Sequence, residues 1–200
     1  LPALLKQSRL PVALVNAESD LPIPQVTADE YDGAHQSTRH LISLGHKKIS
    51  FLIGKQPSHY SVTERQRGYT DTMRAAGLEQ QISILLERSV EDFAALMQRG
   101  GADRPTAVIV YTHFMAMKLI RLLWEHGIKV PDELSVTTFS NASPVEDFIP
   151  PLTTMALPTE EMGRAAAEMV IEQIDSEGKA PARRLVLKET LIVRRSTAEK

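Results

Sequence analysis

A repeated alternation of two patterns constrains this chain more than any other feature. Short β-branched runs lie at Val12 to Val15, Lys48 to Ile53, Ile82 to Leu86, Ala107 to Tyr111 and Leu134 to Phe139. Between them, apolar residues recur at helical spacing. Tyr31, Ala34, Thr38, Leu41 and Ile42 form one face, followed by Gly45, and Tyr69, Met73 and Ala76 precede Gly77. Phe93, Leu96 and Met97 precede Gly100, and Met115, Leu119, Leu122 and Leu123 precede Gly127. A glycine just past each stripe supplies the left-handed residue that closes a helix. Asp29, Ser61 and Ser89 read as helix starts, with Ser61 and Glu64 at capping-box spacing. Alternating βα units need right-handed crossovers, so the expected class is α/β, a parallel sheet with helices on both faces. The near-continuous apolar strands agree with burial on both sides.

After Asn141 the rhythm changes. Ser143-Pro144 and Pro150-Pro151 interrupt regular structure, and an extended Leu152 to Leu157 follows. A helix is predicted from Thr159 to about Ser176 with Met162, Ala166, Met169 and Val170 inward, and Arg183 to Arg194 alternates as strand. A segment that leaves the βα series and then returns points to a second structural unit. Lys and Arg total 23 against 25 Asp and Glu, so the formal net charge of −2 provides no basic footprint for nucleic acid. Cysteine is absent, which excludes disulfides, thiolate metal sites and a cysteine nucleophile. No apolar run is long enough to span a bilayer.

Motifs for catalysis are missing. The chain has no G-x-G-x-x-G, no Walker loop and no G-x-S-x-G, and Gly54-Lys55 lacks the further glycines of a phosphate cradle. Its six histidines include no H-E-x-x-H and no i, i+4 pair, and His35, His40 and His126 read as exposed helix residues. Glu18, Asp20, Asp29, Glu30 and Asp32 read as solvated turn and cap carboxylates. The expectation is a protein that is not an enzyme and holds neither metal nor cofactor. Binding is better supported, because ligands of doubly wound sheets sit beyond the carboxyl ends of strands. The strand-to-helix junctions there carry His59, Ser61, Arg65, Thr112, His113, Ser140 and Asn141, a set suited to hydrogen-bonding a small polar ligand. Arg65 is placed in the first helical turn, where its charge opposes the helix dipole; position alone is compatible with a solvated surface arginine.

These residues resemble the LacI/GalR family of transcriptional regulators, in an ordered series covering almost the whole chain. Leu10-Pro11-Val12-Ala13-Leu14-Val15-Asn16 is similar to the family's "IPVVLVN", and Val26-Thr27-Ala28-Asp29 with Gly33-Ala34 to "VxxDNxxGA". Leu41-Ile42-Ser43-Leu44-Gly45-His46-Lys47-Lys48-Ile49 resembles "LIxLGHxxI", and Glu64-Arg65-Gln66-Arg67-Gly68-Tyr69 resembles "xRxxGY". Gly127-Ile128-Lys129-Val130-Pro131-Asp132-Glu133-Leu134-Ser135-Val136 is similar to "GxxVPxDxSV", and Arg195-Ser196-Thr197 closes the series. The resemblance implies a periplasmic-binding-protein-like fold of two Rossmann-like subdomains joined by three crossovers. Residues 1–28 and 157–185 would be part of the N-terminal subdomain, and 29–156 with 186–200 the C-terminal one. The DNA-binding helix-turn-helix would lie outside this chain, so operator DNA is a partner only of the longer protein.

The resemblance also implies a cytoplasmic regulator whose small-molecule effector lies in the cleft between subdomains and biases operator affinity. Arg65 matches the family's pocket arginine, with His59 and Ser61 at contact positions in the loop before it. Two departures stand out. Thr112-His113-Phe114-Met115-Ala116 replaces "NDxMA", and Thr138-Phe139-Ser140-Asn141 replaces "GFDD", removing the carboxylates of both patterns. The expectation that follows is an anionic effector, a sugar phosphate or sugar acid, with a site that binds nothing as the alternative. Met115, Met117, Ile120, Trp124 and Phe148 read as core by default, whereas the resemblance assigns Met115, Met117, Ile120 and Phe148 to a homodimer interface. A periplasmic sugar-binding protein of a transport system is the competing reading, less well matched by "LGHxxI", "VPxDxSV" and the terminal "RRST".

Overall fold

The computed structural model describes residues 10–55, 59–101, 104–140 and 144–200. They divide into two compact units, one comprising the residues up to Asp29 with Pro158–Glu189, the other Glu30–Leu157 with Thr190–Lys200.

The larger unit begins with α1 (Glu30–Ser43), β3 (Ile49–Leu52) and α2 (Tyr60–Ala75). A 3-10 turn (Glu79–Gln81) leads to β4 (Ser83–Leu85), α3 (Val90–Arg99), β5 (Ala107–Val110), α4 (His113–Glu125) and β6 (Ser135–Phe139). The four-residue α5 (Pro144–Asp147), β7 (Thr153–Ala156) and β9 (Thr190–Ile192) complete it. The sheet order is β4-β3-β5-β6-β7-β9, parallel except for the antiparallel β7/β9 edge. Every residue of β3, β5, β6 and β7 is buried. Along β5, Ala107 and Ile109 face one core while Val108 and Val110 face the other, the two-residue period of a strand covered on both sides. One core joins Phe51, Ile109 and Phe139 to Tyr69 and Met73 of α2, and the other joins Val108 and Val136 to Phe93, Met97, Leu119 and Leu123.

The smaller unit holds β1 (Leu14–Val15), β2 (Gln25–Ala28), α6 (Thr159–Asp175) and β8 (Arg184–Leu187), its three parallel strands ordered β1-β2-β8. Gln173 of α6 ties this unit together, accepting from the Val12 amide at 3.3 Å and donating to the Val12 carbonyl at 3.2 Å. The strand material expected over Arg183 to Arg194 is two strands in different sheets, because β8 pairs with β2 and β9 with β7.

Local signals explain most element ends. Gly77 (φ 71°) and Gly127 (φ 73°) close α2 and α4 with paired amide bonds back into the last helical turn. Ser89 and Asp92 form a reciprocal capping box on α3. The start of α2 differs from expectation: His59 is the capping residue, its ring accepting from the Ser61 amide, so Ser61 lies inside the helix and no Ser61/Glu64 box forms. Arg65 consequently falls in the second turn, on the buried face with Ser61, Gly68, Tyr69 and Thr72. His35 and His40 are half-buried rather than exposed, bonded to Thr72 Oγ1 at 2.7 Å and Thr197 Oγ1 at 3.1 Å, while His126 is exposed as expected.

His46 serves the frame. It is 3% exposed, with Nδ1 2.9 Å from Thr106 Oγ1 and Nε2 2.9 Å from Ser135 Oγ and 3.1 Å from the Ala198 carbonyl. Ser196 similarly bridges β6 and β7, donating to the Val136 carbonyl at 2.6 Å and accepting from the Thr153 amide at 2.8 Å. Burial lowers the His46 pKa below the ordinary 6.5, and it also lowers those of His40 and His113. A depressed folded-state pKa means that the unfolded chain binds protons more readily, so stability is full above about pH 6.5 and falls on acidification. Urea unfolding at pH 7.5 and 5.5 is expected to show this loss, and His46→Gln to reduce the difference without removing it.

Helices α1 and α2 approach so closely that a Cβ on Gly68 would lie 2.3 Å from the Tyr31 carbonyl oxygen and 3.1 Å from the Ala34 Cβ. Backbone cannot yield as a flexible side chain does. Gly68→Ala is therefore expected to destabilise the protein by about 1–3 kcal/mol, measured as a fall in the urea midpoint.

Candidate functional site

Adjacent parallel strands β3, β5 and β6 end side by side, and the chain leaves β3 and β5 into helices α2 and α4. This edge collects helix N-termini and strand carboxyl ends, where polar ligands of α/β sheets are held. The site can be followed outward from Arg65. Its side chain lies on the buried face of α2, and the whole residue is only 5% exposed. A guanidinium there needs compensation for its lost hydration.

Compensation comes from three elements. Nε donates to Glu30 Oε2 at 2.5 Å, and Nη1 donates to the Tyr111 carbonyl at 3.1 Å. The guanidinium carbon lies 3.8 Å from the centroid of the Phe139 ring and 4.9 Å from that of Tyr111, both in cation–π range. Glu30 opens α1 and is 2% exposed; its Oε1 is buried without a hydrogen-bond partner. Glu30 is thus no solvated cap carboxylate, because the Arg65 charge draws it inward. Arg65 Nη2 makes no hydrogen bond to a protein atom among the described residues, which leaves it as the guanidinium nitrogen available to a ligand.

Beside it runs a hydroxyl chain. His59 Nδ1 lies 2.7 Å from Ser61 Oγ, which lies 2.6 Å from the Tyr111 hydroxyl. His59, Ser61 and Arg65 are therefore brought together, joined through Tyr111. Thr112 caps α4, accepting from the Met115 amide at 3.3 Å, and half-buried His113 stacks against Phe114 at 4.0 Å between centroids. Burial holds the His113 pKa below its ordinary value. Ser140 is buried at the end of β6, its amide donating to the Met155 carbonyl at 2.9 Å. Asn141 lies outside the described residues.

Sequence reasoning missed Glu30, Tyr111 and Phe139. A signal for Glu30 existed: Ser61, Arg65, Tyr69 and Met73 share one helical face, and an arginine on an otherwise buried face demands an acidic partner. Among the described residues no three His, Asp or Glu side chains converge as a metal site would require, and no helix is long and apolar enough to cross a membrane.

A buried guanidinium paired with a carboxylate and flanked by hydroxyl and imidazole groups is the candidate site of this periplasmic-binding-protein-like α/β fold. Residues 38–197 match the periplasmic binding protein-like domain. The chain is 32% identical to the HTH-type transcriptional regulator DegA of Bacillus subtilis (strain 168), over 97% of its own length and 58% of that protein. A LacI family transcriptional regulator from Enterococcus faecium, solved with bound ribose, superimposes with a TM-score of 0.85 at 26% identity, covering 98% of this chain and 74% of that one. A complex of the transcriptional regulator CelR with cellobiose gives 0.80 at 29% identity, covering 98% and 62%. The chain belongs to the periplasmic binding protein-like domain family, and it is similar over nearly its whole length to transcriptional regulators, a LacI family member among them. It spans a little under three fifths of the length of DegA.

Proposed function

We propose that this chain is the effector-sensing core of a cytoplasmic, DNA-binding transcriptional regulator and that its effector is a small neutral sugar. The two units would be the two subdomains whose arrangement an effector biases, since a ligand shifts such an equilibrium by binding one arrangement better. Operator contact is assigned to polypeptide beyond these residues, because a net charge of −2 gives no basic footprint. The observation that carries the effector class is the Arg65–Glu30 pair. Loss of carboxylates relative to the family's pattern argued for an anionic ligand, but Glu30 already neutralises the arginine. What Arg65 then offers is an uncharged-site hydrogen-bond donor, Nη2, beside the Ser61 and Tyr111 hydroxyls. The relatives solved with ribose and cellobiose favour the same class. Isothermal titration with matched neutral and phosphorylated sugars is expected to show preference for the neutral member; preference for the phosphorylated one overturns the reading.

We also propose that the longer protein is a homodimer paired through the outer surface of α4 and the loop after α5. Ile120 of the expected interface is buried in the core of its own unit, and Met115, Met117 and Phe148 are partly buried against that core. The apolar surface presented outward includes Phe114, Trp124 and Ile149, 72%, 77% and 86% exposed, and the last two line one hollow of about 390 Å3 with Ile128 and Val130. Isologous pairing would cover such a patch. Sedimentation of the intact protein at micromolar concentration is expected to show a dimer, and a monomer alone would overturn this.

A further inference from the structure

We infer that Glu30 determines the specificity of the Arg65 site: its carboxylate keeps the site neutral, so that the arginine selects hydroxyls and rejects phosphate and carboxylate groups. This rests on the reading of Arg65 as a ligand-contacting residue and adds the charge logic of the site. The guanidinium is held on nearly every side, by Glu30 at Nε, the Tyr111 carbonyl at Nη1 and the Phe139 and Tyr111 rings across its plane. Only Nη2 of the three guanidinium nitrogens makes no hydrogen bond to the described residues. An anion docking there would meet a guanidinium whose charge is already spent, with a carboxylate immediately behind it.

That carboxylate is cut off from water. Its side chain is 1% exposed, and Oε1 has no hydrogen-bond partner. In such surroundings a like charge acts strongly over a few ångströms. Holding Nε alone would need just a neutral acceptor; the second oxygen, buried without a donor, contributes charge and nothing else. A hydroxyl ligand carries no charge for Glu30 to repel, and it can accept from Nη2. Glu30 is therefore a positioning residue for Arg65 and, through its charge, a filter on the ligand.

Titration of the 200-residue chain with inorganic phosphate at neutral pH tests this, comparing wild type with Glu30→Gln, which keeps the shape and the Nε acceptor. Glu30→Gln is expected to bind phosphate roughly tenfold or more tightly than wild type, the scale of one like charge removed within about 4–6 Å. Glu30→Asp should keep the wild-type weakness for phosphate, a rescue that a merely structural role would not produce. Adding Arg65→Met to Glu30→Gln should abolish the gain, which locates it at the guanidinium. Equal phosphate affinity in wild type and a folded Glu30→Gln, or a gain that survives Arg65→Met, overturns the inference. If Glu30→Gln does not fold, wild type is scored directly: phosphate bound as tightly as a neutral sugar overturns the inference. Neutral-sugar titration of wild type is scored separately: its failure removes the sugar reading while leaving the phosphate comparison intact.

Discussion

Placing one guanidinium on the inner face of a helix sets the terms for everything around it. Removing a partner from a buried ion pair typically costs about 3–5 kcal/mol, because the remaining charge is left without water or counter-ion. The start of α1 must therefore deliver Glu30 to Arg65 Nε, and the end of β5 must turn its Tyr111 carbonyl toward Nη1. Phe139, the last residue of β6, lays its ring against the cation. Three elements of the larger unit thus converge on a single side chain of a fourth.

The sheet makes that convergence possible. Parallel strands bring all their carboxyl ends to one edge, and each crossover returns a helix N-terminus to the same edge. Tyr111 shows how tightly the two roles are coupled, since its carbonyl holds Arg65, its ring lies in cation–π range and its hydroxyl meets Ser61. At the site, frame and recognition surface share atoms. His46 and Ser196, by contrast, spend their hydrogen bonds on joining the larger unit's own strands and terminal segment. Motif residues of this chain accordingly divide into those that bind the frame together and those that line the site.

Much of this architecture is legible in the order of the amino acids. Apolar periods of two and 3.6 residues locate the strands and helices of the larger unit, and the glycines after α2 and α4 mark their ends. The start of α2 is less legible, because His59 supplies the cap in place of Ser61 and a capping-box spacing matches without forming. Arg183 to Arg194 alternates as strand material throughout, and pairing partners decide where it divides between two sheets. Neither difference is visible locally: a cap is decided by which side chain reaches a free amide, and a strand by which neighbour is beside it.

The sequence by itself determined the α/β class, the family and the presence of Arg65, His59 and Ser61 near one edge, because periodicity and motif order are properties of neighbours along the chain. Tertiary structure alone decided the charge state of the site. Glu30 and Arg65 are thirty-five residues apart and belong to different helices, so only the packing of α1 against α2 reveals that they meet. Coulomb attraction in a dehydrated interior depends on distance through space. It therefore pairs the arginine with a carboxylate that no neighbour along the chain announces.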